Sequence, residues 1–178
     1  MPSGAGRVKS AIRLRVCAGF RAEPMDNACM TGRDGMRVRS GPWSAEQITD
    51  FLRETAIPLR LASSGAYPIV QSLWFVHQDD ALWCATQSDS VLVRRLRASD
   101  RCGFEVSADT PPYRGVRGTG HGTVLPGAAA EILPRLIDRY LGPESTPLAT
   151  WLLSRLDREV AVRVDGLVVT TWDYSARM

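Results

Sequence analysis

Lysine is almost absent from this chain: Lys9 is the only one, and all other basic side chains are arginine. Histidine occurs twice, and the four cysteines (Cys17, Cys29, Cys84, Cys102) form no Cys-x-x-Cys pair. That scarcity argues against a structural zinc site, which needs clustered thiolate and imidazole ligands. Free thiols in a reducing, cytoplasmic setting are the simplest reading of such cysteines. No apolar run approaches the roughly 18 residues that span a bilayer, so no membrane partner is expected. No serine-histidine-aspartate order, paired carboxylates, Walker loop or internal repeat stands out, and no catalytic residue is assigned.

What remains is ordinary globular material. The chain has 178 residues, 44% hydrophobic and 23% charged, enough for one domain with its own core. The net charge of +3 is unevenly spread. Residues 1–40 carry eight basic side chains against Glu23, Asp26 and Asp34, a balance of +5, and the rest of the chain carries −2. The folded part is therefore not a nucleic-acid binder on charge grounds. Residues 1–42 lack sustained periodicity, and arginines interrupt their one apolar stretch, which rules out a secretory signal. They read as a disordered basic arm or as sequence upstream of a true start at Met25, Met30 or Met36.

Regular structure is expected from Ser44, where Ser44 and Gln47 have capping-box spacing and Ile48, Phe51 and Leu52 share a helical face. Strands follow at 58–63, 69–76 and 81–86, then a helix over 90–97 with Leu92, Val93 and Leu96 inward. Further strands are expected at 101–107 and 116–125. Helices follow at 128–141, kinked or restarted at Pro134, and at 146–156. Asp165-Gly166 signals a tight hairpin between strands 159–164 and 167–173. Short antiparallel strands with helices at their ends make an α+β barrel.

Several blocks carry chemistry. The turn from Thr86 through Ser88 to Ser90 presents hydroxyls and a helix N-terminus, and Arg94 lies one helical turn on, so an anion site is possible there. A simple N-cap is the competing explanation. Val70, Gln71 and Ser72 lie mid-strand, where alternation turns Gln71 and Ser72 to opposite faces. Gly118, Gly120 and Gly122 strip one strand face of side chains, which suits a barrel corner or the close approach of a ligand. His77 reads as a solvated turn residue. Cys84 and Cys102 read as buried strand residues and not as nucleophiles.

These blocks, in this order, resemble the pyridoxamine-phosphate-oxidase-like split β-barrels. Pro68 to Phe75 is similar to the segment that lines the flavin ring in that family. Trp83-Cys84-Ala85-Thr86, followed by Ser88, Ser90 and Leu96, resembles its phosphate-binding turn. Tyr113 to Gly120 matches a strand written Arg-x-Val-Arg-x-x-Gly in relatives, and Thr171-Trp172-Asp173-Tyr174 resembles a terminal strand. The similarity covers residues 44–176.

The resemblance implies an antiparallel split barrel that binds FMN or an 8-hydroxy-5-deazaflavin as a homodimer. It implies hydride transfer to or from a small organic substrate, with Val70, Gln71, Ser72, Thr86, Ser88, Ser90, Arg94, Arg117 and Trp172 around the cofactor. Trp172 would shield a flavin bound to the partner subunit. A non-catalytic barrel binding a flavin, haem or another planar ligand is the alternative. One departure is clear: FMN-holding relatives place Arg-Lys where Val91 and Leu92 stand. Charge-assisted hydrogen bonds contribute about 1.5–3 kcal/mol each, so the loss of two weakens binding by about 10²–10⁴-fold.

Overall fold

The computed structural model describes residues 35–144 and 146–178. Eight strands and four α-helices follow in the order β1 (Arg37–Ser40), α1 (Ala45–Glu54), β2 (Leu59–Ser63), β3 (Ile69–Leu73), β4 (Phe75–Gln78), β5 (Ala81–Gln87), α2 (Val91–Ala98), β6 (Arg101–Ser107), β7 (Arg114–Leu125), α3 (Ala129–Leu141), α4 (Pro147–Leu153) and β8 (Glu159–Asp173). The sheet runs β3-β2-β6-β7-β8-β5-β4, antiparallel throughout. Its two end strands, β3 and β4, are separated in the chain by Trp74 alone. The sheet therefore curls until its ends meet at one residue, which makes the expected barrel.

Alternation sorts the side chains. Leu59, Leu61, Phe75, Leu82, Cys84, Phe104, Val106, Val116, Val162, Val164, Leu167 and Val169 point inward and share one core. Helix α1 closes that core with Ile48 and Leu52, and α2 with Leu92 and Leu96. The capping box at Ser44 forms as expected: the Ser44 hydroxyl accepts from the Gln47 N–H, and the Gln47 side chain accepts from the Ser44 N–H. Helix α3 lies outside the barrel, where Ile132 and Leu136 cover Val76 and Ala161. Helix α4 packs on α3 through Ala149.

Three expectations need correction. Arg37–Ser40, within the segment 1–42 set aside as an arm, forms β1; it pairs parallel with Val168–Thr170, and Val38 packs on the core. Its partner lies about 130 residues away, a pairing that local pattern does not reveal. Residues 1–34 lie outside the described residues. Asp165-Gly166 makes no hairpin: β8 is continuous, and both halves stay paired to β7, Asp165 with His121 and Val168 with Thr119. Gly166, at φ +60°, absorbs one extra residue opposite Gly120, a glycine bulge instead of a turn. Pro134 sits inside an unbroken α3, with no restart.

The glycine stripe of β7 also finds its reason. A Cβ on Gly118 would lie 3.0 Å from the Phe104 ring, and one on Gly122 2.8 Å from Leu96. The bare face exists so that core side chains can close in, and no ligand is needed to explain it.

Candidate functional site

The junction at Trp74 is where the barrel both closes and opens. Tyr140 of α3 stacks on Trp74 with ring centroids 5.0 Å apart and planes 5° from parallel. Its hydroxyl accepts from the Phe75 N–H (3.3 Å) and donates to the Ile57 carbonyl (3.1 Å). That single side chain satisfies a backbone donor freed where the strand leaves one partner for another. Beyond this pin the strands part. Residues of β3 pair only with β2, while Ala85, Thr86 and Gln87 pair only with β8. The free edge of β3 and the end of β5 thus form the two lips of a split.

On the first lip, Val70 and Ser72 face outward, and Val70 is 64% exposed. Gln71 turns inward beside Leu61, as alternation requires. Its side-chain oxygen Oε1 is shut off from solvent and receives no hydrogen bond. A buried acceptor without a donor is uncommon, because leaving it so costs about 1–3 kcal/mol.

On the second lip, Thr86 is half-buried at the end of β5, and Ser88 is exposed, with its N–H bonded to the Arg158 carbonyl at 2.8 Å. Ser90 is the N-cap of α2, its hydroxyl accepting from the Val93 N–H at 3.3 Å. That oxygen serves the helix first. Arg94 does swing back along the helix, and its guanidinium donates to the Asp89 carbonyl at 2.7 Å. The two positions of the departure differ sharply: Val91 is exposed, whereas Leu92 is wholly buried in the core.

Arg117 and Trp172 form a separate pair on the outward face of β7 and β8. The guanidinium carbon lies 5.6 Å from the indole centroid. Trp172 lies across Gly115, where a Cβ would come within 2.6 Å of the ring. Ser72, Arg60, Glu105 and Arg117 are successive cross-strand partners over β3, β2, β6 and β7. Along the sheet, three strand spacings, about 14 Å, separate Arg117 from the β3 lip, and Trp172 lies one strand further. One chain therefore does not bring all the expected residues together. The same row reveals a cluster that sequence reasoning missed: Arg60 donates to Glu105 Oε1 (3.4 Å) and to Ser107 Oγ (3.2 Å) and its carbonyl (3.3 Å). Only the register shows that these side chains meet.

No protein-family model matches the sequence, and no curated protein does. Solved structures do match. A conserved hypothetical protein from Mycobacterium tuberculosis superposes with a TM-score of 0.65 at 24% identity, over 77% of this chain and 89% of that one. An F420 reductase gives 0.55 at 22%, over 65% and 90%. A Clostridium acetobutylicum protein of the pyridoxinephosphate oxidase family gives 0.50 at 13%, over 66% and 80%. The chain has the pyridoxamine-phosphate-oxidase-like split-barrel fold. At these identities the likeness establishes architecture, and the chemistry rests on the residues.

In this split barrel the lips also border a cavity of about 280 Å³. Ser72 and Trp74 come from the β3 side, Ala85 from β5, Leu133 from α3, Leu152 from α4, and Glu159 from the start of β8. Glu159 is the only ionisable side chain in its lining. Burial pushes its carboxyl up from the ordinary value, and the nearby Arg155 opposes that shift. Other titratable groups serve the fold. Cys84 and Cys102 are buried and free, and burial raises both thiols, Cys102 to about 12, so neither is a nucleophile. His77 is buried, not solvated, because β4 carries it under α1; both ring nitrogens lack partners. Arg139 caps the carbonyl end of α1 through Leu52, Arg53 and Thr55.

The first lip thus holds a buried acceptor without a donor, Gln71 Oε1, and an outer strand edge of unladdered backbone groups. The second holds hydroxyls and a helix N-terminus, with Val91 and Leu92 in its first turn.

Proposed function

We propose that the protein binds a flavin-type cofactor in the split of its barrel and acts as an oxidoreductase on a small organic substrate. The carrying observation is Gln71, whose side-chain oxygen is buried beside the split without a donor. The polar pyrimidine edge of FMN or of an 8-hydroxy-5-deazaflavin supplies such a donor. When bound, the cofactor supplies the hydride chemistry; the protein holds, orients and dries the ring. Gln71 and the free edge of β3 position it. Thr86, Ser88 and the first turn of α2 receive the tail. Arg94 is the cation of that helix's first turns, and its tie to the Asp89 carbonyl keeps it folded back toward the turn.

The absence of a basic pair at Val91 and Leu92 favours the deazaflavin. It shares the tricyclic ring and hydride transfer with FMN, but its tail differs, so weaker phosphate contacts matter less to it. The F420 reductase among the structural neighbours is consistent with that preference.

The reading requires a homodimer. Along the sheet Arg117 lies about 14 Å from the β3 lip in one chain and Trp172 one strand further, and a two-fold partner brings a second copy of the pair within reach of the same ring. The outward face of β3, β2, β6 and β7 suits such packing: Val70, Ala62, Gly103 and Thr119 form a cross-strand row of small side chains. A stable dimer here buries more than about 1,000 Å².

The test is the visible absorbance of the purified protein before and after adding each cofactor, with light scattering for mass. A flavin or deazaflavin band that co-elutes with a dimer supports the reading. A bound cofactor that no reductant or acceptor turns over leaves the non-catalytic planar-ligand binder as the function.

A further inference from the structure

The cavity behind the split has a composition of its own. Trp74 forms one wall and stacks on Tyr140, which holds its ring in place. Ala85, Leu133 and Leu152 make the other walls aliphatic, and Ser72 links the cavity to the β3 lip. Its volume of about 280 Å³ sits near the lower end of ligand pockets, which run from about 300 Å³ upward. That suits one or two fused rings.

The single carboxyl sets the polarity of the guest. A carboxylate only accepts hydrogen bonds, so the guest must bring a donor. An anionic guest would face Glu159 in a site of low polarity, at a cost that grows with burial. A cationic guest would find the charge of Glu159 already opposed by Arg155, which lies over the Trp151 ring at 4.4 Å.

We propose that this cavity binds small, uncharged aromatic molecules that carry a hydroxyl donor, of the phenol or hydroquinone class, with the hydroxyl on Glu159 and the ring beside Trp74. Glu159 and Ala85 are then specificity determinants: one selects the donor, the other leaves space for the ring. Ser72 lines the cavity and belongs to the lip assigned to the cofactor, so a hydroquinone guest, which becomes a quinone by giving a hydride equivalent to the ring and a proton to solvent, is the substrate class of the reaction. That last assignment rests on the cofactor reading, whereas the binding itself does not.

The experiment is calorimetric titration of the full-length protein with 2-naphthol, with cofactor content read independently from the visible spectrum. 2-Methoxynaphthalene, which has the ring and the oxygen but no donor, is the control. Saturable binding of 2-naphthol, at least fivefold tighter than the control, is expected. Glu159→Leu should weaken 2-naphthol about tenfold, since hydrogen bonds to charged groups contribute at that level, and leave the control unchanged. Ala85→Leu and Leu152→Trp, each checked for an unchanged melting temperature, should exclude both compounds.

Absence of saturable 2-naphthol binding overturns the proposal. So does equal affinity for the two compounds, or binding that survives both filling variants. If 2-naphthol binds while no flavin does, the cavity assignment stands and the cofactor reading falls. The reverse outcome removes the cavity and spares the cofactor site.

Discussion

The barrel wall has two outward faces that the sequence treats in opposite ways. Over β4, β5 and the first half of β8, α3 lays Ile132 and Leu136 on Val76 and Ala161. On the outward face of β3, β2, β6 and β7, Ser72, Arg60, Glu105 and Arg117 lie in register, with Trp172 of β8 beside Arg117. The covered face is packed; the open face carries the groups on which the proposed site and dimer draw. The split lies on the border between them, pinned at Trp74 by a tyrosine from the covering helix. A site on that border inherits rigidity from one side and access from the other.

The sharpest break of the comparison comes from the two positions of the departure. Leu92→Lys puts an ammonium into a fully buried core position, and should unfold the protein or lower its melting temperature severely. Val91→Arg, on the surface, should leave the melting temperature within a few degrees and tighten FMN about tenfold, as one charge-assisted contact returns. Titration of the folded variant checks this, and unchanged FMN affinity would remove the tail from this turn.

The covered and open faces should then separate in stability. Leu136→Ala on α3 should cost about 2–5 kcal/mol by cavity formation. Val70→Ala, on the exposed lip, should stay within about 0.5 kcal/mol. Urea denaturation of both variants measures the contrast; equal costs would erase it.

A smaller effect should appear with pH. Burial, then the Arg53 charge, lowers the pKa of His77 below its ordinary 6.5. The unfolded chain therefore takes up the proton first. Stability is full above about pH 6.5 and falls as pH drops from there toward the depressed folded value, by at most about 1.4 kcal/mol per pH unit. His77→Leu should flatten that part of the profile in denaturation curves at several pH values. The smallest effect belongs to the open face: Arg117→Gln should not move the melting temperature, because the exposed Arg117–Trp172 pair contributes at most about 1 kcal/mol, yet it should weaken dimerisation or cofactor binding.

How much of this the sequence discloses varies with the range of the interaction. The capping box at Ser44, the N-cap at Ser90 and the inward face of α2 are local, and each forms as its residues imply. Asp165-Gly166 is local too, but a glycine at positive φ serves a bulge as readily as a turn, and only the unbroken pairing with β7 decides between them. The parallel pairing of β1, the burial of His77 and the Arg60–Glu105–Ser107 cluster depend on partners far along the chain. Among the site residues, Gln71 and Ser72 were legible as a pair on opposite faces. That Gln71 would be the buried and unsatisfied one required the register with Leu61.

Gln71 is also where the account is most exposed. Equilibrium titration of wild-type protein and Gln71→Leu with FMN and with 8-hydroxy-5-deazaflavin, followed by cofactor fluorescence, puts the split to a direct test. The expected result is one cofactor per protomer, with the deazaflavin the tighter. The leucine variant should be as stable as wild type or more so, since an unpaired buried acceptor is gone, and should bind about fivefold or more weakly, the value of one hydrogen bond. Failure of both cofactors to bind folded wild-type protein, or undiminished binding by Gln71→Leu, would contradict it.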